Sequence, residues 1–236
     1  MPTSHPKYKL LKSRWRHLGL LLLAGLLMGR WIGVVVFTLT TMLGYEVALQ
    51  SRLFMMQSAV STSTLIVAPL VYWCWVEEQP LHCLFLFPNR HLIPALITLG
   101  LVLAFMVVNT WFVEWNRTVQ LPSWLSGFEA WARNQEEEQQ QLLALLTTFP
   151  TLRVLLTGLF VMGIIPAVGE ELLFRGIIQS LLYYHWRNVH MAIGVSAFVF
   201  SAIHCQLYGL VPRWLLGILF GYVYWWTKDL RFPILA

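Results

Sequence analysis

Charged residues are scarce in this sequence. Asp, Glu, Lys and Arg make up 11% of its 236 residues, whereas hydrophobic residues make up 58%. A soluble domain averages roughly 25% charged residues. The composition therefore excludes a soluble globular domain and predicts an integral, multi-pass membrane protein, whose length suits one bundle of roughly six to eight helical spans.

Cysteine is scarce as well. The three cysteines, Cys74, Cys83 and Cys205, have none of the spacings of a zinc site or a redox motif. We therefore interpret them as small buried hydrophobic residues.

The net charge of +5 is concentrated at the N-terminus and does not indicate nucleic-acid binding. Residues 1–17 form a basic segment ahead of the first apolar run, and the positive-inside rule places such a segment in the cytoplasm. Its basic residues are Lys7, Lys9, Lys12, Arg14 and Arg16.

The apolar runs predict an all-α fold, a polytopic transmembrane helical bundle with about six spans. Residues 18–120 hold the N-terminal spans, and residues 151–236 hold the rest. The last span contains the small-residue packing motif Gly217-x-x-x-Gly221. The predicted spans are Leu18–Leu43, Phe54–Val76, Leu92–Val113, Leu152–Tyr184, Met191–Ile203 and Trp214–Thr227.

Residues 121–150 have a different character. Trp124, Phe128 and Trp131 recur at helical spacing, and a polar run rich in Glu and Gln follows them. This pattern predicts an amphipathic helix lying on the membrane surface. We interpret it as a connector between two spans, with a lid over the site as the second hypothesis.

The most informative residues are Glu170 and Glu171, which follow the fifteen uncharged residues Val154–Val168 and Gly169 in the fourth span. Ionisable groups within a span are costly and indicate a functional site. Residues four apart share a helix face, so Glu171 is predicted to pair with Arg175. Glu170 points about 100° away and has no cation one turn further on. We expect it to be the free carboxylate and to act as a general base.

His204 follows the fifth span directly and lies one turn after Phe200, so the two rings share a face. A carboxylate and an imidazole can hold one water molecule and polarise it. Alternatively, Glu170, Glu171 and His204 could bind a zinc ion. Either arrangement predicts a hydrolytic nucleophile inside the membrane.

The pattern Glu170-Glu171-x-x-x-Arg175, followed by Phe200-x-x-x-His204, resembles the first two motifs of the CPBP family, also called Abi proteins. These are intramembrane proteases related to the type II CAAX prenyl endopeptidases. The similarity to bacterial members extends from about Leu121 to the end of the sequence, and residues 151–236 correspond to the catalytic core.

The resemblance implies a role for each motif residue. Glu170 and His204 would activate the water that attacks the scissile carbonyl, Glu171 and Arg175 would form a supporting pair, and Phe200 would line the site. Both a zinc-dependent and a metal-free mechanism are compatible with these residues. The expected substrate is a membrane-bound protein or peptide, and the expected location is the bacterial cytoplasmic membrane.

One departure from the family concerns the C-terminal end. Members carry a third motif, His-x-x-x-Asn, after a segment like Phe-Pro-Ile-Leu-Ala, whereas this sequence stops at Ala236, just after Pro233 begins a further helix. The loss of one oxyanion donor typically costs about 10²- to 10³-fold in rate. We expect the fold to be kept and the activity of the 236-residue sequence to be reduced.

Two other functions fit a polar membrane core. Buried carboxylates also act as relays in ion- or proton-coupled transporters, although the sequence has no internal repeat of the transporter type. A catalytically silent scaffold or immunity-type protein would use the same fold to bind a partner.

Overall fold

The predicted apolar segments form helices. The protein is described here by a computed structural model, which covers residues 11–44, 48–81, 84, 92–119 and 121–236. Over those residues the chain contains helices and no extended strand, which confirms the all-α fold. The helices are α1 (Leu11–Met42), α2 (Leu49–Val76), α3 (Leu92–Thr118), α4 (Ser126–Leu146), α5 (Leu152–Trp186), α6 (Val189–Ala202), α7 (Leu210–Thr227) and α8 (Arg231–Leu235).

Five helical segments in the described ranges are long and apolar enough to cross a membrane, and they lie in α1, α2, α3, α5 and the α7 region from Leu207. Large apolar side chains on these helices face outward, as a lipid environment allows; Trp111 on α3 is 79% exposed. The protein is therefore an integral membrane protein. The sixth predicted span, Met191–Ile203, forms the shorter helix α6, whose 14 residues extend about 21 Å at 1.5 Å per residue.

Two helices begin earlier than predicted. The last span starts at Leu210 rather than Trp214, because Pro212 lies in the first turn, where its missing amide donor costs little. The final helix begins at Arg231 rather than Pro233. There, the side chain of Asp229 accepts a hydrogen bond of 3.0 Å from the Arg231 amide.

Helix α5 stays continuous past Pro166 but changes its hydrogen bonding. Proline cannot donate to the carbonyl of Met162. The segment Leu159–Ile164 is π-helical, and the Ile165 amide bonds to the carbonyl of Phe160. A second π-helical segment, Leu172–Ile178, follows the two glutamates directly. Such segments frequently occur at functional sites.

The chain divides into two compact units. The first unit contains α1, α2 and α5 as far as Ile177. The second contains α3, α4 as far as Ala144, the remainder of α5, and α6 to α8.

In the first unit, α1 packs antiparallel against α2 along a stripe of glycines. A Cβ atom at Gly25 would lie 2.7 Å from the Ser63 carbonyl oxygen, and one at Gly29 would lie 2.7 Å from the Val60 Cα. Gly33 continues the stripe. Glycine at every fourth position is a sequence pattern that favours such close helix packing. The prediction of one long span for this segment did not include this contact.

An ion pair joins the outer ends of the same two helices. Arg14 near the start of α1 lies 3.1 Å from Glu77 just after α2, and both side chains are 12% exposed. The hydroxyl of the fully buried Tyr72 donates a bond of 2.8 Å to Glu77. The described end of the basic segment is therefore bound to α2, while its first ten residues lie outside the described part of the chain.

In the second unit, α7 packs against α6 through the predicted glycine motif. A Cβ atom at Gly217 would lie 2.9 Å from the Ala197 Cβ, and one at Gly221 would lie 2.7 Å from Ile193. This confirms the packing role of the motif.

The amphipathic segment forms α4, as predicted. Its rings of Phe128 and Trp131 stack at 5.5 Å, and Trp124 is 78% exposed. The helix is confirmed, while its place on the membrane surface stays a prediction.

The cysteine prediction was partly wrong. Cys205 is exposed, because it lies in the turn after α6 with a positive φ of 53° rather than on a packed helix face. Cys74 is half-buried, and Cys83 lies outside the described residues.

We expect Gly29→Ala to destabilise the protein by about 1–3 kcal/mol, since the new methyl would overlap the α2 backbone. Gly19→Ala on the same helix meets nothing within 4 Å and should be neutral or stabilising by up to about 1 kcal/mol. Thermal unfolding of both variants in the same detergent measures the difference. Equal melting temperatures would contradict the close approach of the two helices.

Candidate active site

The two glutamates are positioned by close packing of α5 against α2. A Cβ atom at Gly169 would lie 2.6 Å from the Leu65 Cβ and 3.1 Å from its carbonyl oxygen. Any side chain at position 169 would therefore push the two helices apart. Glycine at this position thus sets the location of Glu170 and Glu171.

The predicted ion pair between Glu171 and Arg175 is present. An Arg175 Nη1 atom lies 2.7 Å from Glu171 Oε1, and the side chains are 2% and 6% exposed for Arg175 and Glu171, respectively. The contact is a buried ion pair, whose stability depends on each charge neutralising the other. The second carboxylate oxygen, Glu171 Oε2, is buried with no hydrogen-bond partner among the described residues.

The prediction that Glu170 is the free carboxylate was wrong. Arg175 interacts electrostatically with Glu170 as well as with Glu171. Coulomb forces in a weakly polarisable interior reach beyond the next helical turn, so one guanidinium acts on both carboxylates. Glu170 is half-buried, whereas Glu171 is buried.

His204 lies in the turn that ends α6, and its ring contacts Phe200 edge-on. The ring centroids are 5.3 Å apart with planes at 83°, which confirms that the two residues share a face. The His204 amide bonds to the Ser201 carbonyl at 3.3 Å. The ring atom Nε2 is buried and has no hydrogen-bond partner in the described part of the chain.

Burial of the His204 ring, and then the positive charge of Arg213, lower the pKa of His204 to about 4. The imidazole is therefore neutral near pH 7. A neutral ring whose Nε2 lacks a partner can accept a hydrogen bond from a water molecule.

The motif residues fall in the two units described above. Glu170, Glu171 and Arg175 belong to the first, and Phe200 and His204 belong to the second. The contacts within each unit are established, and the water shared by Glu170 and His204 stays a prediction.

The proposed zinc ligands were Glu170, Glu171 and His204. Over the residues that the structure describes, no three His, Cys, Asp or Glu side chains are grouped so as to hold a metal ion. One oxygen of Glu171 is also engaged by Arg175. The zinc set stays a prediction.

The sequence patterns did not predict the roles of Asn116 and Gln206, whose side chains link the turn that carries His204 to neighbouring helices. The side-chain amide of Asn116 on α3 donates to the carbonyl oxygens of Leu207 at 3.3 Å and Tyr208 at 2.5 Å. Gln206 bonds to Gln139 on α4 and to Arg213. Contacts between residues so far apart in the chain follow no local spacing.

The segment that carries the motif residues also matches a known protein family. Residues 152–236, which contain all five motif residues, match the family model described as Type II CAAX prenyl endopeptidase Rce1-like. This part of the chain is similar to Rce1-like domains. No curated protein and no solved structure matches the chain significantly. The similarity supports, in general terms, an intramembrane endopeptidase of the CAAX-protease type.

We expect Arg175→Met to cost about 3–5 kcal/mol of stability, because it leaves the buried Glu171 carboxylate without its cation. The double variant Glu171→Gln/Arg175→Met removes both charges and should cost less. Chemical denaturation in detergent compares the two free energies of unfolding. A double variant as unstable as the single one would contradict a charge-based role.

We expect the His204 ring to titrate near pH 4. The unfolded chain, with a histidine pKa of about 6.5, binds a proton between pH 6.5 and 4 that the folded protein does not. The stability contributed by His204 is therefore present above about pH 6.5 and is lost as the pH falls towards 4. Histidine NMR signals assigned with His204→Gln give the midpoint, and Arg213→Gln should raise it. A wild-type midpoint near 6.5 would contradict the prediction.

Proposed function

We propose that this protein is an intramembrane endopeptidase that hydrolyses a peptide bond of a membrane-associated substrate with a water molecule activated by Glu170 and His204. The observation that carries the proposal is that the match to the Rce1-like family falls on the segment with both motifs. We further propose the bacterial cytoplasmic membrane as its location.

The chemistry requires two acceptors for one water molecule. The Glu170 carboxylate accepts a hydrogen bond from one O–H of the water, and the neutral His204 accepts one from the other O–H at Nε2. The water oxygen then bonds to the carbonyl carbon as the proton passes to Glu170. When the C–N bond breaks, Glu170 returns that proton to the leaving nitrogen, and the carboxylate is regenerated.

Arg175 and Glu171 support this chemistry without joining it. The pair is buried and bonded at 2.7 Å, so it holds this stretch of α5 in one arrangement. The guanidinium also acts on the charge of Glu170. Phe200 supports the proposal by its edge contact with the His204 ring, which limits the orientations of the imidazole.

The test is peptide cleavage by purified protein in lipid nanodiscs. The substrates are two peptides of one sequence ending in a CAAX-type tetrapeptide, one prenylated on its cysteine and one not. We expect Glu170→Gln and His204→Gln each to lower kcat by about 10²- to 10⁴-fold, the usual contribution of general acid–base catalysis. Products are identified by mass spectrometry.

The matched controls are Glu137→Gln on α4 and His185→Gln at the end of α5, which should keep the wild-type rate. Cleavage by Glu170→Gln at the wild-type rate would contradict the proposal. Ion flux in liposomes that depends on Glu170 without cleavage would indicate a transporter instead. Loss of activity on dialysis against a chelator, restored by zinc, would support the zinc alternative.

A further inference from the structure

The turn that carries His204 is bound by residues from outside its own helices. We refer to residues 203–209, between α6 and α7, as the His204 loop. Its backbone carbonyls at Leu207 and Tyr208 accept hydrogen bonds from Asn116 on α3. A hydroxyl bond of 2.6 Å from Ser201 to the Leu210 carbonyl closes the base of the loop.

The amphipathic helix α4 binds the far end of this loop through Glu129. The Tyr208 hydroxyl donates a bond of 3.1 Å to Glu129 Oε1, and Arg133 donates to the same oxygen at 2.7 Å. The other oxygen, Oε2, accepts the Leu121 amide at 3.1 Å. These partners hold the pKa of Glu129 below its usual range, with the Arg133 bond as the largest cause. The carboxylate is therefore ionised and fully bonded at neutral pH.

The same cluster encloses the Tyr208 ring. The Arg133 guanidinium lies 4.5 Å from the ring centroid, and Tyr208 is 6% exposed. The cation–π contact and the hydroxyl bond both restrict the orientation of the ring. Tyr208 lies four residues after His204.

A second contact from α4 reaches closer to His204. Gln206 Nε2 donates to Gln139 Oε1, and Gln206 Oε1 accepts from Arg213 Nη2. A chain of hydrogen bonds thus runs from α4 through the loop to α7. Gln206 is two residues from His204, and the Arg213 charge acts on the imidazole.

These contacts point to a role for α4 beyond joining two spans. We propose that α4 is a positioning helix for His204, which holds the His204 loop through Gln139 and Glu129 and thereby sets the location of the imidazole. The inference rests on the proposed function for its catalytic consequence. Gln139, Glu129, Gln206 and Tyr208 are positioning residues, since none of them takes part in the proton transfers.

The expected loss of kcat follows from the sensitivity of catalysis to the position of the reacting groups. A misplacement of about 1 Å caused by a change far from the chemistry can lower a rate about 10²-fold. Release of the loop from α4 should therefore lower kcat by about 10- to 100-fold. It should change KM little, because the proposed contacts hold an imidazole rather than the substrate.

The central variant is Gln139→Ala, which removes the acceptor for Gln206. The matched control is Gln140→Ala, an identical change at the next position of α4, where the side chain is exposed. Gln139→Glu keeps an oxygen that can accept the Gln206 bond and serves as the rescue variant. Tyr208→Phe removes only the hydroxyl that binds Glu129 and tests the second contact.

Two measurements are made on each full-length variant in nanodiscs. The first is kcat and KM for peptide cleavage. The second is hydrogen–deuterium exchange of the backbone amides of residues 203–209. We expect lower kcat and faster exchange in Gln139→Ala and Tyr208→Phe, and wild-type values in Gln140→Ala and Gln139→Glu.

A kcat of Gln139→Ala within twofold of that of Gln140→Ala, or a change confined to KM, would overturn the proposal. If the wild type cleaves no peptide, the proposed function fails, and the exchange data then decide on the positioning role alone. Faster exchange in Gln139→Ala with recovery in Gln139→Glu supports it. Equal exchange in all variants overturns it whether or not the protein is a protease.

Discussion

The buried ion pair between Glu171 and Arg175 is the interaction on which the rest of the structure depends. Two charges at 2.7 Å inside a membrane span are tolerated only because each neutralises the other, since neither water nor lipid can do so. Helix α2 approaches α5 two residues before the pair, and it can do so only because residue 169 has no side chain. Helix packing and site chemistry therefore depend on the same few positions.

Buried polar groups in the second unit also need partners, but there the partners come from other helices. The turn between α6 and α7 has backbone carbonyls that no helix satisfies, and a buried carbonyl without a partner is costly. Asn116 supplies the missing donors, and α4 contributes Glu129 and Gln139. These contacts hold the His204 loop, which carries the candidate imidazole.

Prediction from the sequence succeeded where the determining contacts are local. Residues four apart share a helix face, so the Glu171–Arg175 pair and the Phe200–His204 contact followed from spacing alone. Prediction failed for Glu170, because the electrostatic field of Arg175 extends beyond the helix face on which Arg175 lies. It also could not find the contacts of Asn116 and Gln206, since these join residues that lie 91 and 67 positions from their partners. The Glu170–His204 pairing depends on such long-range contacts and stays a prediction.

The length of α6 has a consequence for the surrounding lipid. Its 14 residues match only about two-thirds of a hydrocarbon core of roughly 30 Å. Hydrophobic mismatch of this kind is relieved by thinning of the adjacent leaflet, at a cost of fractions of a kcal/mol per Å. If α6 crosses the bilayer, lipid headgroups and their hydration layer would lie closer to the midplane beside it. The proposed hydrolysis needs a supply of water, and the aqueous phase would then lie closer to the turn that carries His204.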